Sequence, residues 1–381
     1  MNDDSRLRSR TADRRQKIQA MLRAHDLDAF IASAPANVTY LTGFSGDSSS
    51  LLVTNERAIV ISDGRFTTQL AQECPDLEAD IRRPGEESTQ ALARVIDAIG
   101  VRRVGFEALS RTVADHEAIQ EAARTTDWAP THGWVESLRE IKDDLEIAAI
   151  RQAVQYAEDA FAGLLTTLRI GDSEKKTADD LEIHLRKAGA TGSSFPPIVA
   201  VGQRSALPHA RPTDDARIGD DDFVLVDWGA TGRPYKSDLT RVLVTGKVTT
   251  TFEKIYRIVL EAQERAIAAI RPGAHRGDVD ATARGVVENA GYGPFFDHGL
   301  GHGLGLEIHE GPRLRRGAQG LLAAGMVVTV EPGIYLAEWG GIRIEDDVLV
   351  TPDGHEVLSR VPRSLESTPL PNIPAAASPA R

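Results

Sequence analysis

The period of the apolar positions changes along the chain. Between residues 12 and 130, Ile18, Met21 and Leu22 recur at helical spacing, and the short apolar run Asp28-Ala-Phe-Ile31 follows. Leu51-Leu-Val53 and Ala58-Ile-Val-Ile61 read as strands separated by the turn signal Thr-Asn-Glu-Arg, and Arg103-Val-Gly-Phe106 reads as another. This alternation predicts a small α/β domain over residues 1–135.

From Lys142 the helical period is sustained for longer. Ile147, Ile150, Val154, Phe161, Leu164, Leu165 and Leu168 keep one face of a long helix apolar, with Gly171 as its stop. A second helix is predicted with Thr177 as N-cap, Leu181 and Leu185 inward and Gly189 at its end. Strands follow at Pro197–Val201, Phe223–Val226 and Arg241–Val244. The order then repeats, with helices over Phe252–Ile270 and Asp278–Ala290 and strands at Met326–Val330 and Ile342–Ile344. Each half reads helix, helix, strands. Residues 136–362 are therefore expected to form a duplicated α+β unit whose halves face each other across a cleft. The Pro/Ala-rich segment 363–381 has too little apolar content to fold alone and is expected to be a disordered tail.

Charge narrows the partners. Against 44 Lys+Arg stand 56 Asp+Glu, a net charge of -12, whereas nucleic acids and anionic membranes select a basic footprint. The single cysteine, Cys74, excludes an intrachain disulfide and fits a reducing compartment. It sits in Glu-Cys-Pro with no histidine nearby in sequence, so it reads as a buried thiol and not a nucleophile. The first ten residues lack the apolar core of a signal peptide, and no apolar stretch is long enough to span a bilayer. A cytoplasmic protein is expected.

Candidate chemistry sits at the strand ends. Asp227 closes Phe-Val-Leu-Val and Glu331 closes Met-Val-Val-Thr-Val; Asp238 follows 11 positions after the first and Glu345 14 after the second. A carboxylate at the edge of a core is costly unless it is paired or metal-bound. Taken singly, an Asp after a strand is usually a turn-former or cap, Glu-Pro-Gly a turn, and a histidine a surface group. Their co-occurrence is what points further. The run His298-Gly-Leu-Gly-His302-Gly-Leu-Gly fits neither a helix nor a regular strand, and predicts backbone wrapped closely around a ligand. Gly229 and Gly333, after the two strand-end acids, have the same reading. Four carboxylates and an imidazole in these settings predict a two-metal hydrolytic centre. Such ligation suits manganese, cobalt, zinc or iron better than copper.

These motifs resemble those of the creatinase/aminopeptidase P/prolidase family of metallopeptidases, whose catalytic domain has the pita-bread fold behind a creatinase-like N-terminal domain. The resemblance covers most of the chain and matches five ligand positions in order. It implies that Asp227, Asp238, His302, Glu331 and Glu345 hold two divalent cations, with Asp238 and Glu345 bridging; manganese is the metal most associated with such enzymes. It also implies that His209, His298, His309 and Arg343 line the site outside the metal set. In the implied chemistry Glu331 doubles as acceptor for the proton of attacking water. His209 and His309 serve the developing negative charge and the leaving nitrogen. His298 shapes the pocket after the cut, and Arg343 holds a carboxylate of ligand or substrate. Read without the resemblance, His209 is as readily solvent-exposed, His309 structural, and Arg343 outward on its strand. Trp228, Tyr335 and Trp339 are candidates either for the walls of a proline slot or for the core.

The substrate implied is a peptide with proline at its second position. Thr42-Gly-Phe-Ser-Gly-Asp and Ser62-Asp-Gly-Arg65 resemble aminopeptidase P segments more than prolidase ones, which puts an Xaa-Pro aminopeptidase ahead of an Xaa-Pro dipeptidase. A non-catalytic peptide-binding module of the same fold is the reading from another class, and the intact ligand set argues against it. Relatives imply a homodimer or a higher homo-oligomer.

Overall fold

The structure, a computed structural model, describes residues 3–220 and 222–370. Its contacts divide the chain after Arg139 into two compact units. The first opens on α1 (Asp3–Ala24), which buries Ile18 and Leu22. Its strands are β1 (Ala29–Ala32), β2 (Ser50–Thr54), β3 (Ala58–Ser62), β4 (Glu78–Ile81), β5 (Arg103–Glu107) and β6 (Asp127–Thr131). They form one sheet in the order β4-β3-β2-β1-β5-β6. Between or after them in the chain lie α2 (Pro35–Thr42), α3 (Thr67–Glu73), α4 (Ser88–Ile99), α5 (Val113–Ala122) and α6 (Trp134–Arg139). The parallel pairs β3–β4 and β5–β6 need crossovers, which α3 and α5 provide. Cys74 is buried here; its Sγ lies 3.4 Å from the Thr42 carbonyl, and burial pushes its thiol up to about 11. A thiol held protonated is not a nucleophile.

The second unit is built twice over. Its first half runs through α7 (Asp144–Thr167), α8 (Glu174–Ala188), β7 (Gly192–Ser193), β8 (Ile198–Val201), β9 (Phe223–Trp228), β10 (Ala230–Gly232), β11 (Tyr235–Lys236) and β12 (Leu239–Val244). The second half begins with α9 (Thr250–Ala269) and α10 (Arg276–Asn289). It continues with β13 (Gly301–Gly303), β14 (Glu310–Leu314), β15 (Val327–Val330), β16 (Gly333–Leu336), β17 (Gly340–Arg343), β18 (Asp346–Thr351) and β19 (Gly354–Val357). The main sheets are β12-β9-β8 and β14-β13-β15-β18-β19.

Local chemistry explains the helix ends. Asp143 caps α7, its carboxylate accepting from Leu145 and Glu146 N–H while Glu146 reaches back. Ser173, and not Thr177, caps α8: its Oγ accepts from Lys176 N at 3.0 Å, and Thr177 lies inside the helix. Gly189 ends α8 at φ +109, but Gly171 lies beyond the end of α7, whose cap is Leu168. Leu165 is 38% exposed, so the apolar face of α7 is narrower than the periodicity predicts.

The apolar strands are buried on both faces. Val224 and Val226 of β9 pack in the cluster under α7 and α8, whereas Leu225 joins the cluster under α9 and α10. On β12, Leu239 and Leu243 face the first cluster, Val242 and Val244 the second. Trp228 belongs to the core, stacked on Phe161 at 4.3 Å with its Nε1 donating to Ala157 O. Trp339 packs on Phe223.

Residues 363–370, assigned to the tail by composition, are part of this unit. Leu365 is buried, Val244 N donates to Thr368 O at 2.8 Å, and Leu370 N donates to Val244 O at 2.9 Å. Backbone pairing to β12 supplies what the side chains lack. The rest of the expected tail, 371–381, lies outside the described residues. No helix among the described residues is long and apolar enough to cross a membrane.

Candidate metal centre

The strand ends bring the four acids together. Asp227 lies on β9 opposite Thr240 of β12, and Asp238 immediately precedes β12. Glu331 follows β15 and Glu345 precedes β18, which pairs with it. The halves are then tied across the centre: Glu345 N donates to Thr240 O at 3.2 Å, and Asp238 N donates to Asp347 Oδ2 at 3.0 Å. In each tie the acceptor lies two residues beyond the other half's acid. A strand's period of 2 makes that the same face. Thr240 Oγ1 also donates to Glu345 Oε2 at 2.6 Å.

Asp238, His302 and Glu345 are buried, with ligand atoms all within 4.8 Å of one another. His302 Nε2 is 3.4 Å from Glu331 Oε1 and 3.7 Å from Asp238 Oδ2. Its Nδ1 is 3.1 Å from the Gly303 carbonyl, which can only accept, so Nδ1 carries the hydrogen and Nε2 aims a lone pair at the carboxylates. Burial pushes this imidazole down to about 3, hence neutral.

The carboxylates are pushed the other way. Burial is the leading cause in all four. Repulsion from neighbouring carboxylates adds to it at Asp238 and Glu345, both held well above the usual range. At Asp227 and Glu331 burial also wins against the attraction of Arg343, and Glu331 is pushed up to about 8. Asp227 Oδ1 and Glu345 Oε1 are buried without a hydrogen-bond partner. Acceptors thus face acceptors with no donor between them, an arrangement that a divalent cation resolves and that oxygen-rich ligation with one imidazole fits.

The other expected residues line the same cavity, of about 650 Å³. His209 and His309 are exposed at its wall; the His309 ring stands edge-on to His302 at 4.5 Å, and burial pushes it down. His298 donates from Nδ1 to Gly299 O at 2.8 Å and accepts at Nε2 from Tyr335 Oη at 3.0 Å. Burial, then Arg343, pushes it down to about 4. Arg343 does not face outward. It is 3% exposed, with Nη2 on Asp227 Oδ2 at 2.5 Å, Nε on Thr240 Oγ1 at 3.1 Å and Nη1 on Tyr335 Oη at 2.8 Å. The carboxylate it holds belongs to the site itself.

The glycine run departs from expectation. Gly301–Gly303 is strand β13, with a bulge at His302/Gly303, paired to β14 and β15. A Cβ on Gly301 would lie 2.0 Å from Thr329 O, and one on Gly303 1.9 Å from Gly311 O. These glycines admit neighbouring strands, and Gly301, with Gly299, also lines the cavity of the acids. Gly229 likewise admits neighbouring backbone, its Cβ position being 1.9 Å from Ser237 O. At Gly333 the Cβ would lie 2.4 Å from Tyr335 Oη, so the room it leaves is taken by a side chain of the cavity wall. Sequence reasoning missed Thr240, Asp347 and the hub role of Tyr335. The first two were readable as residues two beyond an acid.

The chain matches metallopeptidase family M24 over residues 148–352 and the creatinase/prolidase N-terminal domain over residues 14–141. It belongs to metallopeptidase family M24. The catalytic unit of this M24 peptidase is therefore a pita-bread domain behind a creatinase-type domain, and the chain is a metal-dependent hydrolase. It is similar to the Xaa-Pro dipeptidase from Bacillus anthracis, with 37% identity and a TM-score of 0.90, covering 93% of this chain and 99% of that one. It is similar to the X-Pro aminopeptidase from Thermotoga maritima MSB8, with 37% identity, a TM-score of 0.84, and coverage of 89% and 97%. The Xaa-Pro dipeptidase of Pyrococcus horikoshii is 33% identical over 92% of this chain and 97% of its own length.

Proposed function

We propose that this M24 peptidase cleaves the bond between an N-terminal residue and a following proline, as an Xaa-Pro aminopeptidase. In this reading two divalent cations, manganese foremost, are held by Asp227, Asp238, His302, Glu331 and Glu345. The observation that carries the metal set is the His302 Nε2 lone pair turned onto two carboxylates, beside the orphaned oxygens of Asp227 and Glu345. The names of the similar proteins support the proline preference. More of those named are dipeptidases than aminopeptidases, which favours a second reading, an Xaa-Pro dipeptidase with the same centre.

Divalent cations, when bound, supply Lewis acidity that acidifies water and polarises a carbonyl oxygen. The side chains supply the rest. Glu331, with a side chain 17% exposed against 7% for Asp238 and 10% for Asp227, is the carboxylate best placed to take a proton from attacking water. His309 and His209, at the open wall, are placed to donate to the carbonyl oxygen as charge develops and to hand a proton to the leaving nitrogen. A prolyl nitrogen carries no hydrogen, so it needs a donor and offers none. His298 pairs with Tyr335, which Arg343 holds in turn, and the two form a fixed part of the cavity wall.

The test is hydrolysis of Gly-Pro and of Xaa-Pro-containing tripeptides by purified protein, after chelation and after adding manganese. Release of the first residue only with the cation is expected. No cleavage of any Xaa-Pro bond with manganese, cobalt, zinc or iron contradicts the proposal. The same reading carries a cytoplasmic homodimer or larger assembly, which sedimentation of the purified protein checks.

A further inference from the structure

A second cavity, of about 700 Å³, borders the metal centre within the same unit, lined in part by Arg284, Pro294, Asp297, Arg315 and Arg316. It shares His298, Gly299 and Arg315 with the cavity that holds the acids. Residues 298–299 are thus a sill between two adjoining spaces. The sill is fixed from behind. Arg284, in a buried pair with Asp280 at 2.8 Å, donates from Nη1 to Phe296 O and from Nη2 to His298 O, each at 2.8 Å. Asp280 Oδ1 also accepts from Leu300 N at 3.1 Å. Backbone held at 296, 298 and 300 keeps the His298 ring on Tyr335.

Charge around the two spaces is uneven. Arg284 is neutralised by Asp280, and Arg316 by Glu288. The guanidiniums of Arg313 and Arg315 have neither a hydrogen bond nor an ion pair among the described residues, and both are exposed; the Asp297 carboxylate of the second cavity is likewise exposed and unpaired, so there Arg315 stands against one acid. Arg313 lines the first cavity and Arg315 both. The floor of the first space is carboxylate, so a substrate that satisfies both regions carries its negative charge away from the reacting end. The second space has the volume of an ordinary ligand site, about 300–1,000 Å³. At roughly 3.3–3.6 Å per residue it has room for more than one residue of extended peptide.

We propose that peptide residues beyond the proline cross the sill at His298 into this second cavity, and that Arg315 favours an anionic residue there. This rests on the Xaa-Pro reading of the centre and deepens it: the substrates are peptides longer than two residues. The test compares Ala-Pro with Ala-Pro-Ala-Glu and Ala-Pro-Ala-Lys, using wild type, Asp297→Trp and Arg315→Glu. Asp297 is exposed and borders only the second cavity, so its replacement fills that space without touching the acids. Wild type is expected to prefer the glutamate tetrapeptide over the lysine one, and Arg315→Glu to shift that preference by about fivefold toward lysine. With Asp297→Trp the ratio of tetrapeptide to dipeptide kcat/KM is expected to fall by about fivefold or more. Cleavage of Ala-Pro without either tetrapeptide, or ratios that neither variant moves, overturns the second cavity and leaves the Xaa-Pro chemistry standing. Cleavage of none of the three overturns both.

Discussion

Arg343 sets its Nη2 on Asp227 Oδ2 at 2.5 Å while the other oxygen of that carboxylate, buried, has no partner. One side of Asp227 is therefore fixed by a guanidinium, and the other is free to meet a cation in the proposed centre. The same guanidinium holds Thr240, which donates to Glu345 of the other half, and Tyr335 of the cavity wall. Lysine cannot form that fork. Arg343→Lys is expected to weaken manganese binding by about 10- to 100-fold, the usual cost of losing an outer partner of a ligand. Isothermal titration measures it, and an unchanged affinity removes Arg343 from that role.

Thr240 is one of the links between the halves. Its hydroxyl accepts from Arg343 and donates to Glu345 Oε2 at 2.6 Å. Thr240→Val keeps the shape and removes both bonds, leaving a second buried oxygen of Glu345 without a donor. Cation affinity is expected to drop by roughly 10-fold or more, with little change in the secondary structure seen by circular dichroism. Full affinity in the variant counts against the coupling of the two halves.

Stability should depend on pH in a direction set by the acids. Glu331 is raised from its ordinary 4.5 to about 8, and Asp227, Asp238 and Glu345 are raised as well. Between pH 4.5 and pH 8 these acids bind more protons in the metal-free folded chain than in the unfolded one, so their contribution to stability falls as pH rises through that window, while His298 and His302, pushed down to about 4 and about 3, act in the opposite direction below about pH 6.5. Calorimetric melting in chelator is expected to give a lower Tm at pH 8 than at pH 5 from these groups. Added cation replaces the protons and contributes about 2.7 kcal/mol at a hundredfold excess over Kd. Its benefit is expected to grow toward pH 8. A cation effect that shrinks from pH 5 to pH 8 would speak against a carboxylate site.

His302 and His209 should separate in their effects. His302→Ala removes the lone pair aimed at Asp238 and Glu331, so metal content and activity are expected to be lost together. His209 is exposed at the cavity wall and has no place in the buried cluster. His209→Ala is expected to lower kcat by about 10²- to 10⁴-fold with metal content retained. Elemental analysis beside steady-state kinetics distinguishes the two. Equal loss of metal in both variants makes His209 structural.

Much of this was legible where local chemistry decides. Apolar runs closing on single acids marked β9 and β15, because a carboxylate at the rim of a core demands a reason to be there. Elements decided by distant partners were not legible. Asp346-Asp347-Val-Leu-Val-Thr begins with two acids and does not read as a strand; β18 forms because Arg241 neutralises Asp346 at 2.7 Å and Asp238 N–H meets Asp347. The glycine run became strand β13 because glycine lets Thr329 O and Gly311 O press against it. Capping of α8 by Ser173 over Thr177 turned on three residues of register, which periodicity does not resolve.

Anomalous scattering from crystals grown with manganese decides whether the side chains of the proposed centre hold the cations. Density for two ions is expected, held among Asp227, Asp238, His302, Glu331 and Glu345. Manganese density elsewhere with none among those side chains would contradict that assignment.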